Sequence, residues 1–201
     1  MADRSGIFAG ENPFEISRRW LKDAEASELN DPNAAALATV DENGAPNVRI
    51  ILVKAIEDDA FVFFTNYNSR KGRDLNVTPM AALDLHWKSL ERQIRVRGNV
   101  IEESAEKSDA YFQSRDHGSK IGAWASRQSE PLSSKGHLVK AVAKQQAKHG
   151  LHPQRPSHWG GFRIEPFEFE FWAAGKFRIH DRFRWTRRPP QNDWQIERLF
   201  P

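Results

Sequence analysis

At 201 residues the chain is long enough to bury one sizeable core, and 30 Lys+Arg against 27 Asp+Glu leave a net charge of only +3, too weak a field to imply a polyanionic partner. The proportions of 39% hydrophobic and 28% charged residues exclude a disordered chain. Cysteine is absent, which removes disulfides, thiolate catalysis, iron–sulfur clusters and cysteine-based zinc sites, and no apolar run approaches the roughly 18 residues of a membrane span. Met1–Gly6 leads into no apolar signal core, so a cytoplasmic protein is expected.

Residues 1–12 read as a flexible arm, and residues 13–201 as a single domain. Asn12-Pro13, with Glu15 three residues after the cap, opens a helix predicted over Pro13–Ser27, and Asp31-Pro32-Asn33 closes that region. Strands follow at Ala34–Val40 and Ala45–Lys54 around Asp41-Glu42-Asn43-Gly44, and at Ala60–Thr65 after a turn at Ile56–Asp59. Ser69 caps a short helix, and Met80–Trp87 and Arg92–Glu102 are two further strands. Helices are expected over Ser104–Ser114 and Ser134–His149, with a short one near Ser119–Trp124 between them. After the proline-containing loop Gly150–Ser157 come strands at Trp159–Trp172, Lys176–Trp185 and Trp194–Leu199. Closely spaced strands with short connections predict an α+β fold, dominated by β, built on an antiparallel barrel with peripheral helices.

Walker, GxGxxG, HExxH and GxSxG patterns are all missing. His149, His152 and His158 lie close together in sequence, but without carboxylate support they read as a solvated loop, and no metal site is assigned. What stands out is cationic residues at strand ends and in turns. Arg49 and Lys54 bracket Ile50-Ile51-Leu52-Val53, Arg70-Lys71 follows Thr65, and Arg115 follows Tyr111 by four. Arg178, His180 and Arg182 alternate as on one strand face. Any one of them is most simply a solvated charge. Together, beside apolar strands and aromatics, they suit a planar aromatic ligand carrying phosphate.

The blocks Arg49–Lys54, Phe64-Thr-Asn66, Ser69-Arg-Lys71, Leu90-Glu-Arg-Gln93 and Tyr111-Phe-x-Ser-Arg115 resemble those of the pyridoxamine 5′-phosphate oxidase family. So do Ser119–Trp124, Gln128-Ser129, Trp159–Arg163, Phe171-Trp172, Arg178–Phe183 and the ending Trp194–Pro201, in the family's order over more than nine-tenths of the chain. The resemblance implies an FMN-binding split β-barrel that forms a homodimer, with FMN at the subunit interface and dimerisation and substrate-site strands near the C-terminus. It implies FMN-dependent oxidation of pyridoxamine and pyridoxine 5′-phosphates to pyridoxal 5′-phosphate, with O2 as acceptor. FMN contacts carried over by position are Arg49, Ile50, Ile51, Leu52, Val53, Lys54, Phe64, Thr65, Arg70, Lys71 and Gln93. Gln128, Ser129, Trp172 and Arg182 join them from the partner subunit. Substrate contacts would be Lys54, Tyr111, Arg115 and Ser119, with Arg178 and His180 over the reacting carbon as the catalytic pair.

Three departures accompany the match. Phe64 stands where the family commonly has Tyr, the arm lacks a basic Tyr-containing segment, and Arg49 and Lys54, five apart, would face oppositely on a flat strand. Two alternatives are a split-barrel FMN oxidoreductase of another substrate and a nucleic-acid-binding module using the cations between Lys176 and Arg188.

Overall fold

The structure is a computed structural model that describes residues 4–187 and 193–201. Helix α1 spans Pro13–Ser27, capped by Asn12, whose side chain accepts from Phe14 N at 2.9 Å. Strands β1 (Ala34–Val40), β2 (Pro46–Leu52), β3 (Ala55–Ile56) and β4 (Phe61–Asn66) lead to α2 (Arg70–Val77). Then come β5 (Met80–Trp87), β6 (Arg92–Glu102), α3 (Ala105–Ser114), α4 (His117–Ala125) and α5 (Lys135–His149). Strands β7 (Trp159–Ala173), β8 (Asp181–Thr186) and β9 (Gln195–Arg198) complete the chain.

Every pairing is antiparallel, in the order β2-β1-β5-β6-β7-β4-β3. The long β7 changes partners along one edge: Trp159–Ile164 pairs with β4, and Glu168–Ala173 with β8. Its other edge runs along β6 across a register shift at Arg97/Gly98, where the extra residue bends the sheet and helps it curl into a split barrel. Alternation along β1, β5 and β6 turns Leu37, Leu83, Leu85, Ile94 and Val96 inward. Helix α1 closes the barrel with Phe14, Ser17, Trp20 and Ala24, spaced so as to share one face. Trp20 and Phe14 meet Phe171 and Phe169 edge-to-face, and each such buried aromatic contributes roughly 1.5–3 kcal/mol by area alone.

Helix α1 and strands β1, β5 and β6 fall on the predicted residues, and three differences have local causes. The predicted strand Ala45–Lys54 stops at Leu52, because Val53 N turns to Asn33 O and Lys54 N to Val62 O as the chain passes from β1 to β4. Arg49 and Lys54 are therefore not on one strand, and their parity conflict disappears. Part of the predicted turn at Ile56 forms the short strand β3. The predicted strand Lys176–Trp185 begins only at Asp181, because Lys176–Arg178 is a 3-10 turn with positive φ at Phe177 (57°) and Arg178 (64°). Arg178, His180 and Arg182 consequently do not share a strand face. Within the stretch read as an arm, Phe8 is buried against Trp20 and Phe183, and Trp20 Nε1 donates to Ile7 O.

Candidate active site

Two adjoining cavities of about 480 Å³ each open where β2, β4 and α2 meet the α4 region, and they share Phe64, Thr65 and Gln128 as a common wall. The first is lined by Arg49, Ile50 and Ile51 from β2, Arg70 and Lys71 from α2, and Ser129. Ser69 builds this end: its hydroxyl caps α2 by accepting from Gly72 N and also accepts from Lys71 Nζ at 3.3 Å. Lys71 Nζ donates to Thr65 Oγ1 at 3.2 Å as well. Burial pushes the Lys71 ammonium down to about 8, with repulsion from Arg49 adding to it. Arg49 Nη1 donates to Thr39 Oγ1 and Leu37 O, whereas the buried Nη2 has no hydrogen-bond partner.

The second cavity holds Leu52, Lys54, Tyr111, Arg115 and Ser119. Phe64 stacks on Tyr111 at 4.1 Å, with the Trp159 ring nearly parallel to both. That stack needs Gly161, because a Cβ there would lie 2.8 Å from the Phe64 ring. Arg115 lies 4.7 Å over Trp159, its Nη1 is buried without a hydrogen-bond partner, and desolvation lowers its pKa. Ser119 sits in the first turn of α4, whose cap Asp116 accepts from Ser119 N at 2.8 Å. Each cavity thus contains one buried guanidinium nitrogen with an unmet donor, which is the chemistry of a site for a phosphate oxygen.

Most residues singled out from sequence therefore come together, with exceptions. Val53 lines neither cavity: it is buried in the core, and its backbone N–H and C=O both pair with Asn33. Gln128 and Ser129, expected from the partner subunit, stand in the wall of their own chain's cavities, with Gln128 Oε1 3.4 Å from Thr65 Oγ1. The reason is the short link from α4, which delivers them beside β4. Gln93, Trp172, Arg178, His180 and Arg182 line neither cavity: Gln93, Trp172 and Arg182 lie side by side across β6, β7 and β8, whereas Arg178 and His180 belong to the turn that precedes β8. Gln93 pairs with Trp172 across β6 and β7, and the Trp172 and His180 rings are 4.7 Å apart. His180 Nδ1 accepts from Gly175 N at 3.2 Å, which puts the proton of the neutral imidazole on Nε2. Arg182 is held by Glu170 at 2.7 Å and by Phe200 O at 2.9 Å.

The basic run offered to nucleic acid is largely spoken for. Arg182 and Arg184 pair with Glu170 and Glu197, and Arg187 donates to Pro166 O and covers Trp194. Arg188 lies outside the described residues. Of the loop histidines, His149 stacks on Trp124 and His158 Nε2 contacts Ala123 O. Sequence reading missed Asp74 and Thr39, which tie Arg49 and Arg70 together. The i,i+4 spacing of Arg70 and Asp74 on α2 was the available signal.

The curled antiparallel sheet and its two adjoining, cation-lined cavities define a split β-barrel protein. The comparisons narrow this class further. Residues 21–149 match the model for "Pyridoxamine 5′-phosphate oxidase", and residues 159–201 match "Pyridoxine 5′-phosphate oxidase C-terminal dimerisation region". The chain belongs to the pyridoxamine 5′-phosphate oxidase family. It is 57% identical, over the full length of both chains, to the pyridoxine/pyridoxamine 5′-phosphate oxidase of Roseobacter denitrificans. It is 53% identical to that of Agrobacterium fabrum, over 98% of this chain and 97% of the relative. The structure of PhzG from Burkholderia lata superposes with a TM-score of 0.90 at 33% identity, over 96% of this chain and 94% of that one. An FMN-binding protein from Nostoc punctiforme shares the fold at TM-score 0.77 and 16% identity, over 96% and 100% of the two chains.

Proposed function

We propose that the protein oxidises pyridoxamine and pyridoxine 5′-phosphates to pyridoxal 5′-phosphate, using FMN and O2 and releasing H2O2. The observation that carries this reading is the pair of buried, unmet guanidinium donors, Arg49 Nη2 and Arg115 Nη1, in two cavities that share a wall. Arg49, Arg70 and Lys71 would hold the FMN phosphate, and Ile50, Ile51 and Thr65, which line the same cavity, would hold the rest of the cofactor. A substrate phosphate at Lys54, Tyr111, Arg115 and Ser119 would approach from the other side of that wall. FMN, when bound, supplies the hydride acceptor for the substrate's 4′ carbon and passes the electrons to O2.

The chain's own contribution is alignment and charge. Three cations at the flavin phosphate (Arg49, Arg70 and Lys71), and two with the Tyr111 and Ser119 hydroxyls at the substrate phosphate (Lys54 and Arg115), would match the nearly double charge of each phosphomonoester with charge-assisted hydrogen bonds. The Phe64–Tyr111 stack fixes the plane of the Tyr111 ring and so aims its hydroxyl. Arg178 and His180 would come from the partner subunit of a homodimer, Arg178 steadying charge near the reacting carbon and His180 handling a proton at Nε2. The match of residues 159–201 to a dimerisation region supports that arrangement. In steady-state kinetics, Arg115→Ala should raise KM for pyridoxamine 5′-phosphate by at least about tenfold while leaving bound FMN at the wild-type level. An unchanged KM would remove Arg115 from the substrate site.

A further inference from the structure

We infer that Asp74 is a positioning residue for the cofactor's phosphate, fixing the guanidiniums of Arg49 and Arg70 in the pose that grips it. The inference rests on the proposed role of those two arginines as FMN-phosphate ligands. The Asp74 carboxylate is only 2% exposed and uses both oxygens. Oδ1 accepts from Arg70 Nε at 2.9 Å, and Oδ2 accepts from Thr39 Oγ1 at 2.7 Å. Thr39 Oγ1 in turn accepts from Arg49 Nη1 at 2.7 Å, so Asp74 reaches Arg49 through a buried hydroxyl. Arg49 Nη2 stands 3.6 Å from Oδ2, beyond a hydrogen bond, and remains a free donor.

Asp74, Asp41 and Thr39 engage Arg70 through Nε and Nη2 and Arg49 through Nη1, which leaves Arg70 Nη1 and Arg49 Nη2 as donors for a ligand. Without the carboxylate, Arg49, Arg70 and Lys71 would repel one another and lose their shared orientation. Asp41, at 2.5 Å from Arg70 Nη2, would restrain one arginine only. The opposite effect is also physical, since a carboxylate near a phosphate weakens the local positive field. The sign of the effect of removing Asp74 therefore decides between positioning and mere charge balance.

The test is to titrate the apoprotein with FMN and with riboflavin, which lacks the phosphate, and follow quenching of flavin fluorescence. Wild-type protein should prefer FMN. Asp74→Asn should raise the FMN Kd about tenfold or more and leave the riboflavin Kd within about twofold. Thr39→Val, which keeps the charge but breaks the link to Arg49, should show a smaller loss confined to FMN. It decides the matter by the same ratio if Asp74→Asn does not fold. Equal or tighter FMN binding by Asp74→Asn would overturn the inference, as would parallel weakening of both flavins. If wild-type protein does not distinguish FMN from riboflavin, the assignment of Arg49 and Arg70 fails and takes the inference with it. If it does distinguish them and the variants keep the ratio, only the inference fails.

Discussion

Lys71 carries a consequence that can be read in two opposite directions of pH. Its ammonium loses a proton near pH 8 in the folded apoprotein, against an ordinary value of 10.5. A bound phosphate needs the charged form, so FMN affinity should fall by up to about tenfold per pH unit above 8, and also below about 6 as the phosphate protonates. The stability of the apoprotein runs the other way. Between about pH 8 and 10.5 the unfolded chain holds more protons at this position, so this lysine's contribution to stability rises with pH through that window. Lys71→Arg should abolish the high-pH loss of FMN binding in a fluorescence titration; an unchanged limb would clear Lys71 of the role. At this scale the sequence was informative wherever a charge stood out, as at Arg49, Arg70, Lys71 and Arg115. It was silent on Asp74 and Thr39, because a buried carboxylate and hydroxyl bridging two strands and a helix have no one-dimensional pattern beyond the Arg70–Asp74 spacing.

At the scale of elements, helix α2 couples fold to site. Gly72 passes so close to the preceding turn that an added Cβ would sit 2.0 Å from Tyr67 O, a backbone atom that cannot step aside alone. Gly72→Ala should therefore destabilise the fold by roughly 2–3 kcal/mol and shift α2, with Arg70 and Lys71, away from Arg49. A thermal melt and an FMN titration on the same sample check both parts; a variant with wild-type Tm and FMN affinity would refute the close-packing account. Hydrophobic alternation and turn chemistry made β1, β5 and β6 legible, and the Asn12-Pro13 cap did so for α1. The Lys176–Arg178 turn was not legible, because an alternating cationic run looks like a strand until the positive φ values of Phe177 and Arg178 are seen. Arg178 at φ 64° and Ser129 at φ 72° place strained residues among the site candidates, where strain is usually retained for a purpose.

For the whole molecule, the separation of Arg115 in one cavity from Arg178 and His180 in the turn before β8 makes the subunit count a functional question. If each active site draws on two chains, dimers that are hybrid between Arg115→Ala and Arg178→Ala subunits contain one doubly altered site and one intact site. They should recover about half of wild-type turnover per dimer, although either variant alone is impaired. Absence of recovery in verified hybrids would place all catalytic residues within one chain. No spacing in the sequence could reveal this, nor that Gln128 and Ser129 stand in the walls of their own chain's cavities.

The most direct measurement is aerobic incubation of the purified protein, loaded with FMN, with pyridoxamine 5′-phosphate, following aldehyde formation and peroxide together. The account predicts steady FMN-dependent production of pyridoxal 5′-phosphate with one H2O2 per product. Stoichiometrically bound FMN with no pyridoxal 5′-phosphate formed would contradict it.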